Sequence, residues 1–319
     1  MPGAGDEVSE ALLKKSISKG INMKKIKSDF FSKGIRCDGD LYLPENVKKP
    51  PVVIMAHGLS AVKAFRLPAF AERFVEKGMA TFLFDYRTFG QSDGEPRHVV
   101  NPFHHVQDWL AAITHVRNLS EIDSSRIALW GTSFSGGHVI IAAAKDTGIK
   151  AVVSQVPFVS GFSSIRVRSI PDIILATWYG MADYVKTVFA LPPHYSPAIA
   201  HPGTFAAMNT KECYPGFQSI IPDGSDWENK MTSRAFILLA FYYPIFYAGK
   251  VKSPVLLIGG RDDSLVPFSA VQKTAKRLPD CEFVVLECNH FEPYTGARFE
   301  QSIRIQISFL ERKLSGKNV

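Results

Sequence analysis

Cysteine is scarce in this 319-residue sequence, and its positions exclude two classes of protein. A small secreted domain would show a dense, even set of cysteines, and a structural zinc site would show close cysteine or histidine pairs. Neither pattern occurs among the four cysteines, Cys37, Cys213, Cys281 and Cys288. The sequence therefore favours a reducing compartment, and we expect a cytoplasmic protein.

The sequence also lacks a hydrophobic run long enough to cross a bilayer, which requires about 20 apolar residues. The most apolar segment, residues 235–249, is shorter than this and contains Pro244. The first twenty residues contain acidic side chains and no apolar stretch of signal-peptide length. We expect no stable membrane insertion, and we interpret residues 235–249 as a buried or lid helix.

Motifs for binding nucleic acids, nucleotides and metals are missing as well. The formal net charge is +7, but lysine and arginine are dispersed and form no basic stripe with interleaved aromatic residues. Gly131, Gly136 and Gly137 lack the Lys-Ser or Lys-Thr pair of a phosphate loop and do not fit the G-x-G-x-x-G dinucleotide motif. Metal-ligand spacing is absent among the histidines at 98, 104, 105, 115 and 138. We expect no nucleic-acid partner, no metal and no cofactor.

Strand and helix patterns alternate along most of the chain. A hairpin pattern covers residues 26–45, and continuous apolar runs typical of strands buried on both faces follow at 50–58, 79–87, 125–131, 150–158, 253–260 and 281–287. Helical spacing with capping signals occupies residues 68–77, 101–119, 136–145, 268–277 and 295–313. Repeated βα units predict an α/β fold with a mainly parallel, doubly wound sheet.

Residues 160–250 interrupt this alternation and are too long for an ordinary connection between two strands. They are rich in aromatic residues, proline and glycine. We predict an inserted helical cap over 160–250 and a core formed by residues 1–159 and 251–319. Trp178, Tyr179 and Tyr243 in the cap are candidate substrate contacts, and Lys63 in the core is a candidate for binding an anionic group.

A serine stands between small residues in "LWGTSFSGGH", at the end of a predicted strand and the start of a predicted helix. Ser133 alone could be an ordinary turn residue. Two further segments change that interpretation, because "RDDSLVP" and "CNHFEPY" each follow a later strand. Parallel strands bring their carboxyl ends to one edge of the sheet, so Ser133, Asp263 and His290 are expected to lie close together.

The order serine, acid, histidine and the motifs around these residues resemble the α/β-hydrolase superfamily. The resemblance covers nearly the whole chain and implies an α/β-hydrolase fold with a catalytic triad of Ser133, Asp263 and His290. Asp263 matches the family pattern through Gly260 and the Val-Pro pair that follows it, so Asp262 is expected to tighten the turn or meet solvent. Ser135 departs mildly from the glycine that the family carries two residues after the nucleophile.

The stretch "HGLSAVK" resembles the oxyanion loop of the same superfamily. This resemblance implies that the backbone N–H groups of Leu59 and Phe134 form the oxyanion hole. His57 is then expected to shape the loop rather than to act as a base.

"HGLSAVKAFRLPAFAERFVEKG", "FDYRTFGQSDGEP" and "GTSFSGGH" together resemble the dienelactone-hydrolase-like (YcjY-like) branch and the fungal polyketide transferases and thiohydrolases of secondary-metabolite clusters. The resemblance implies acyl hydrolysis or transfer on an ester or thioester of a bulky apolar, polyketide-like group, free or carried on a polyketide synthase carrier domain. A cyclase or isomerase on this fold and a ligand-binding protein without turnover are the alternatives. A homodimer is a further expectation.

Overall fold

A mostly parallel sheet organises the chain in the computed structural model, which describes residues 23–166 and 168–315. The strands in these ranges are β1 (Met23–Lys27), β2 (Phe30–Ser32), β3 (Ile35–Cys37), β4 (Gly39–Pro44), β5 (Val52–Ala56), β6 (Ala80–Phe84), β7 (Ile127–Thr132), β8 (Ala151–Gln155), β9 (Tyr195–Ser196), β10 (Met231–Thr232), β11 (Val255–Gly260) and β12 (Cys281–Leu286). Eight strands form one sheet in the order β1-β4-β6-β5-β7-β8-β11-β12, and all pairs from β6 to β12 in this order are parallel. The prediction of an α/β fold with a mainly parallel sheet is confirmed.

Helices cover both faces of this sheet. They are α1 (Leu67–Val75), α2 (Pro102–Arg117), α3 (Phe134–Lys145), α4 (Gly161–Ile165), α5 (Ile170–Val188), α6 (Cys213–Gln218), α7 (Ala235–Ala240), α8 (Phe268–Ala275) and α9 (Gly296–Leu314). Alternate side chains of β5 enter two separate cores, one shared with α2, α3 and α8 and the other with α1 and α9. Both faces of the central strands are therefore buried, and for this reason their sequences are continuous apolar runs.

The hairpin predicted over residues 26–45 is present, with one addition. Strands β2 and β3 pair through a two-residue turn in which Lys33 and Gly34 both have positive φ, 52° and 79°. This geometry suits the twist of a tight hairpin. Outside it, β1 and β4 form a second antiparallel pair, through which the hairpin region joins the central sheet.

Helix boundaries agree with the sequence signals except at Ser133 and in residues 235–249. The helix predicted over 235–249 ends at Ala240, and two short 3₁₀ turns, Pro244–Phe246 and Ala248–Lys250, follow it. The Asn101 side chain caps α2 by accepting hydrogen bonds from the backbone N–H groups of Phe103 and His104, at 3.0 and 3.3 Å. Helix α3 begins at Phe134, two residues earlier than predicted. The chain reverses at Ser133, so the residue that follows it is already helical.

Residues 160–250 contain α4 to α7 and the short pair β9–β10. Asp183 lies on α5, and its buried carboxylate accepts the backbone N–H groups of His194 and Arg234 at 2.8 Å each. These hydrogen bonds connect α5 to the later part of the segment. The boundaries of the predicted cap stay a prediction. Among the described residues, none of the helices combines the length and the apolar composition needed to span a membrane.

A buried polar cluster joins the sheet to α9. The Gln306 carbonyl oxygen accepts the Trp130 indole N–H at 2.6 Å, and its amide nitrogen donates to the side chains of Gln155 and Ser302 at 2.8 Å each. All four side chains are buried. Each hydrogen bond therefore prevents a desolvated group from being left without a partner.

Replacing Gln306 with alanine should lower the free energy of unfolding by about 2–4 kcal/mol, because it leaves the Trp130 N–H unpaired and opens a cavity. Denaturant unfolding measures this loss. Gln272→Ala, at an exposed position of α8, is the matched control and should change stability by less than about 0.5 kcal/mol. Equal losses in the two variants would contradict a structural role for the cluster.

Candidate active site

Ser133 lies on a sharp turn between β7 and α3. Its backbone has φ 55° and ψ −120°, a strained conformation for a residue with a side chain. The turn is possible because a Cβ atom on Gly131 would collide with the backbone of Ser135. Ser135 is buried, and its hydroxyl lies 2.9 Å from the Tyr86 hydroxyl. The serine that departs from the family pattern is thus accommodated by a polar contact beneath the turn.

The structure brings the three predicted side chains into one hydrogen-bonded chain. His290 Nε2 lies 2.9 Å from Ser133 Oγ, and His290 Nδ1 lies 2.6 Å from Asp263 Oδ2. An ionised carboxylate only accepts hydrogen bonds, so Nδ1 carries the proton and donates it to Asp263. Nε2 is then the acceptor for the Ser133 hydroxyl, and the imidazole is oriented to take its proton.

Of the two neighbouring aspartates, Asp263 is the one that contacts His290. Its second oxygen, Oδ1, accepts the backbone N–H groups of Leu265 and Val266 at 2.9 and 2.8 Å. These bonds fix the carboxylate in the loop after β11. Asp262 is exposed, as the sequence analysis expected.

The loop after β5 lies directly against Ser133. A Cβ atom on Gly58 would stand 3.2 Å from the Ser133 Cβ, so the backbone of the loop approaches the serine closely. Within the described residues, the N–H groups of Leu59 and Phe134 donate no hydrogen bond. Leu59 and Phe134 line the same cavity as Ser133, so these two unengaged amides are available to a developing oxyanion.

A buried charged cluster supports this loop from behind. Asp85 Oδ1 accepts the backbone N–H of Lys63 at 2.6 Å and lies 3.6 Å from His57 Nε2. Burial raises the pKa of Asp85 to about 6 and lowers the pKa of His57 to about 4. His57 is therefore neutral near pH 7, and its Nδ1 lies 3.0 Å from the Gly58 carbonyl oxygen, which agrees with its expected role in shaping the loop.

A cavity of ≈ 180 Å³ opens beside Ser133 and His290. Its wall is mostly apolar and includes Leu59, Phe134, Phe158, Ile165, Ile173, Ala176, Met208, Phe236, Ile237, Leu239, Leu265 and Val266. Elements of the sheet edge and of residues 160–250 thus enclose the same space. Ser133 therefore faces a cavity that fits an apolar group.

Comparison with known proteins agrees with this geometry. The sequence model of the family described as "alpha/beta hydrolase fold" matches residues 51–297, which is more than half of the chain. The chain belongs to the α/β-hydrolase family.

Three relatives indicate which branch of the family this hydrolase resembles. It is 37% identical over 283 residues to the quorum-quenching protein AidA of Acinetobacter baumannii, covering 89% of this chain and 93% of the relative. It is 29% identical over 310 residues to a thiohydrolase of Aspergillus aculeatus, with 89% and 92% covered. It is 25% identical over 286 residues to a polyketide transferase of Aspergillus fumigatus, with 87% and 96% covered. The resemblance to fungal thiohydrolases and polyketide transferases is confirmed, and the chain is an enzyme of the hydrolase or transferase type.

Solved structures show the same fold. The hydrolase GrgF from a Penicillium species aligns with a TM-score of 0.77 at 23% identity, covering 92% of this chain and 99% of that one. At this identity the likeness extends to the architecture alone.

Four residues predicted to contact substrate lie elsewhere in this hydrolase. The Lys63 ammonium pairs with Asp38 and with Asp40, at 2.8 Å from the latter, and so neutralises buried carboxylates. Trp178 is 71% exposed on the outer side of α5. Tyr179 stacks on His194, and Tyr243 stacks on Phe246. None of these four residues lines the cavity.

The polar part of the cavity wall was missed by the sequence analysis. It comprises Ser164, Arg168, Thr177, Asn209, Thr210 and Ser264. Glu212 does not line the cavity, but its carboxylate accepts the backbone N–H groups of the lining residues Ser264 and His290 at 3.1 and 3.4 Å. Most of these residues come from the segment between β8 and β11, which carries no motif that marks them.

Asp85→Asn should change how stability depends on pH. The ordinary pKa of the carboxyl is 3.8 and the folded value is about 6, so the folded protein holds this proton more tightly. The protonated carboxyl of Asp85 stabilises the folded protein at low pH, and this stabilisation is lost as the pH rises through about 6. Asparagine has no proton to lose at this position, so the variant does not undergo this loss. The unfolding free energy of the variant relative to the parent should rise by up to about 3 kcal/mol between pH 4 and 7, because one pKa unit corresponds to 1.36 kcal/mol.

Denaturant titrations at several pH values test this expectation. Asp280→Asn, at an exposed position, provides the matched control for the substitution of an aspartate. A pH dependence for Asp85→Asn no larger than that of the control would contradict the buried-carboxyl assignment.

Proposed function

We propose that this hydrolase transfers or hydrolyses an apolar acyl group, delivered as an ester or thioester, through an acyl intermediate on Ser133. The observation that carries the proposal is the chain from Asp263 through His290 to the Ser133 hydroxyl at the mouth of an apolar cavity. Relatives named thiohydrolase and polyketide transferase support the same chemistry.

In the first step, Ser133 Oγ attacks the carbonyl carbon of the substrate while His290 Nε2 takes the hydroxyl proton. The negative charge that develops on the carbonyl oxygen is stabilised by the N–H groups of Leu59 and Phe134, each worth about 3 kcal/mol in sites of this kind. Asp263 stabilises the imidazolium. Collapse of the tetrahedral intermediate breaks the bond to the leaving alcohol or thiol, which takes its proton from His290.

In the second step, His290 accepts a proton from the acceptor as that acceptor attacks the acyl-serine. Water as acceptor gives hydrolysis, and an alcohol gives transesterification. The oxyanion forms again at the same two amides, and Ser133 recovers its proton from His290.

The cavity wall supports the proposed substrate class. Aliphatic and aromatic side chains from α4, α5 and α7 surround the space beside Ser133, so the acyl chain rather than the acceptor is expected to supply the binding energy. A polyketide-like acyl group, free or held on a carrier domain, fits this wall and the named fungal relatives. We place this reaction in secondary-metabolite biosynthesis and, because all four cysteines are unpaired, in the cytoplasm.

Hydrolysis of a lactone that carries an acyl tail is a second candidate function. The relative with 37% identity is named a quorum-quenching protein, and a lactone presents the same carbonyl chemistry to the serine. A lactone differs from an open-chain ester because its leaving alcohol stays attached to the acyl product.

Ser133→Ala should lower turnover of p-nitrophenyl esters and N-acetylcysteamine thioesters by roughly 10⁴–10⁶-fold, because the nucleophile is lost. The parent protein should also gain one fluorophosphonate adduct by intact mass, and the variant none. Ser219→Ala, at an exposed serine, is the matched control and should keep both activity and labelling. Full activity in Ser133→Ala would instead favour a cyclase or isomerase.

A lactone that carries an acyl tail belongs in the same substrate series. Faster opening of this lactone than of open-chain esters with equal acyl length would favour the second candidate function. Tight binding of acyl ligands without turnover or labelling would favour a ligand-binding protein and overturn the proposal.

A further inference from the structure

Helix α5 presents an apolar stripe to solvent. Its buried residues are Ala176, Gly180 and Asp183. On the opposite side stand Ile170, Ile174, Trp178, Met181, Val185 and Val188, spaced three or four residues apart and each at least 48% exposed. This spacing places their side chains in one row along the helix.

The stripe is too large for an ordinary monomer surface. Leu175, Tyr184 and Phe189 flank it and are exposed as well. Together the exposed apolar area is on the order of 1,000 Å², whereas the largest patch on a typical monomer covers about 300–600 Å². A standard protein interface buries about 800 Å² on each partner, so this stripe is sufficient for a stable dimer.

We propose that the stripe is the interface of a homodimer, in which α5 helices of two copies pack antiparallel about a twofold axis. A twofold interface must be self-complementary. The stripe meets this condition about a point between Tyr179 and Gly180, because apolar residues occupy positions equally distant on its two sides. The pairs that would face each other across the two copies are Ile170 with Phe189, Ile174 with Val185, Leu175 with Tyr184, and Trp178 with Met181.

The charges of α5 favour a second copy over a lipid surface. Helices that lie on membranes are rich in lysine and arginine along the polar face. Helix α5 carries one lysine, Lys186, and two aspartates, Asp172 and Asp183. Such a helix has little attraction for anionic lipid headgroups.

The interface would also support the acyl cavity. Ile173, Ala176 and Thr177, on other sides of the same helix, line the cavity beside Ser133. A partner that packs on the stripe would hold this part of the cavity wall in place. The dimer proposal itself does not depend on the reaction that takes place there.

Charge substitutions test the pairing directly. The parent protein should sediment at twice its chain mass of 35.3 kDa, and Ile174→Lys and Val185→Asp should each sediment as monomers. In the double variant the introduced lysine of one copy faces the introduced aspartate of the other, and the dimer should return. Val47→Asp, at an exposed valine outside the stripe, is the matched control and should stay dimeric.

Circular dichroism and thermal melts check that each variant is folded. A monomeric parent at micromolar concentration would overturn the proposal, as would a dimer that survives both single substitutions. Co-sedimentation of a monomeric parent with anionic vesicles, lost in Ile174→Lys, would assign the stripe to a lipid surface instead.

Arg168, two residues before the start of α5 in the sequence, lines the cavity beside Ser133. Its Nη2 donates to the backbone carbonyls of Ala206 and Ala207. Its Nη1 is buried and has no hydrogen-bond partner among the described residues. Burial lowers the pKa of Arg168 and outweighs the attraction of Asp172, whose carboxylate forms no salt bridge with it in the described part of the chain. A guanidinium with an unpaired, desolvated N–H group is costly.

We infer that Arg168 binds a carboxylate on the acyl chain, so that the preferred substrates are acyl groups with a terminal acid. This inference rests on the proposed function. A carboxylate accepts a charge-assisted N–H bond from a guanidinium, and such a bond is stronger in an apolar cavity than in water. The apolar wall would hold the methylene groups between the acid and the ester.

A pair of p-nitrophenyl esters of equal chain length, the valerate and the mono-glutarate, tests the inference. The parent should prefer the glutarate in kcat/KM by about tenfold or more, and Arg168→Met should lower kcat/KM for the glutarate by about tenfold more than for the valerate, so that the preference is lost. Arg168→Lys should retain part of the preference because the charge remains.

Equal losses on both esters would show a merely structural role for Arg168 and overturn the inference, as would a parent that prefers the valerate. Absence of turnover on both esters together with absence of fluorophosphonate labelling would overturn the proposed function itself.

Discussion

The backbone reversal at Ser133 is the constraint on which the site depends. The chain leaves a buried strand, adopts φ 55° at the serine and enters a helix at the next residue. This turn directs the hydroxyl away from the sheet and leaves the Phe134 N–H at the start of a helix, where it has no partner in the first turn. Gly131 permits it, because any side chain there would meet the Ser135 backbone.

The strain at Ser133 is offset by the packing around it. The Ser133 N–H donates to the Gln155 carbonyl oxygen at 2.8 Å, and its own carbonyl accepts the Phe158 N–H at 2.9 Å. Below the turn, the hydroxyls of Tyr86 and Ser135 and the Trp109 indole form a buried hydrogen-bonded group. These hydrogen bonds fix the backbone of Ser133 and so hold its hydroxyl within hydrogen-bond distance of His290, which lies 157 residues later in the chain.

Segment 160–250 supplies much of the wall of the cavity beside Ser133. Helices α4, α5 and α7 line the cavity, and α5 has an apolar surface on its outer side. The same helix therefore connects the acyl pocket with the proposed contact between copies. Substrate choice and assembly would then depend on one element rather than on the sheet.

The periodic parts of the fold were predictable from local sequence. The strands buried on both faces and the helices with caps follow from apolar spacing and from residues such as Asn101, because those signals act over a few residues. The residues from 160 to 250 carry no such period, so the aromatic residues there gave no indication of which rings face the cavity. Trp178 proved exposed, and Tyr179 and Tyr243 stack on neighbouring rings instead.

The sequence alone determined the order of strands and helices and the three residues that meet at the sheet edge, because parallel strands bring the ends of distant segments together. Only the tertiary structure decided the distances among them, the pairing of Lys63 with buried aspartates, and the placement of Arg168 in the acyl cavity. These features depend on contacts between residues far apart in the chain, where burial and competing partners, rather than local pattern, set the position of each side chain.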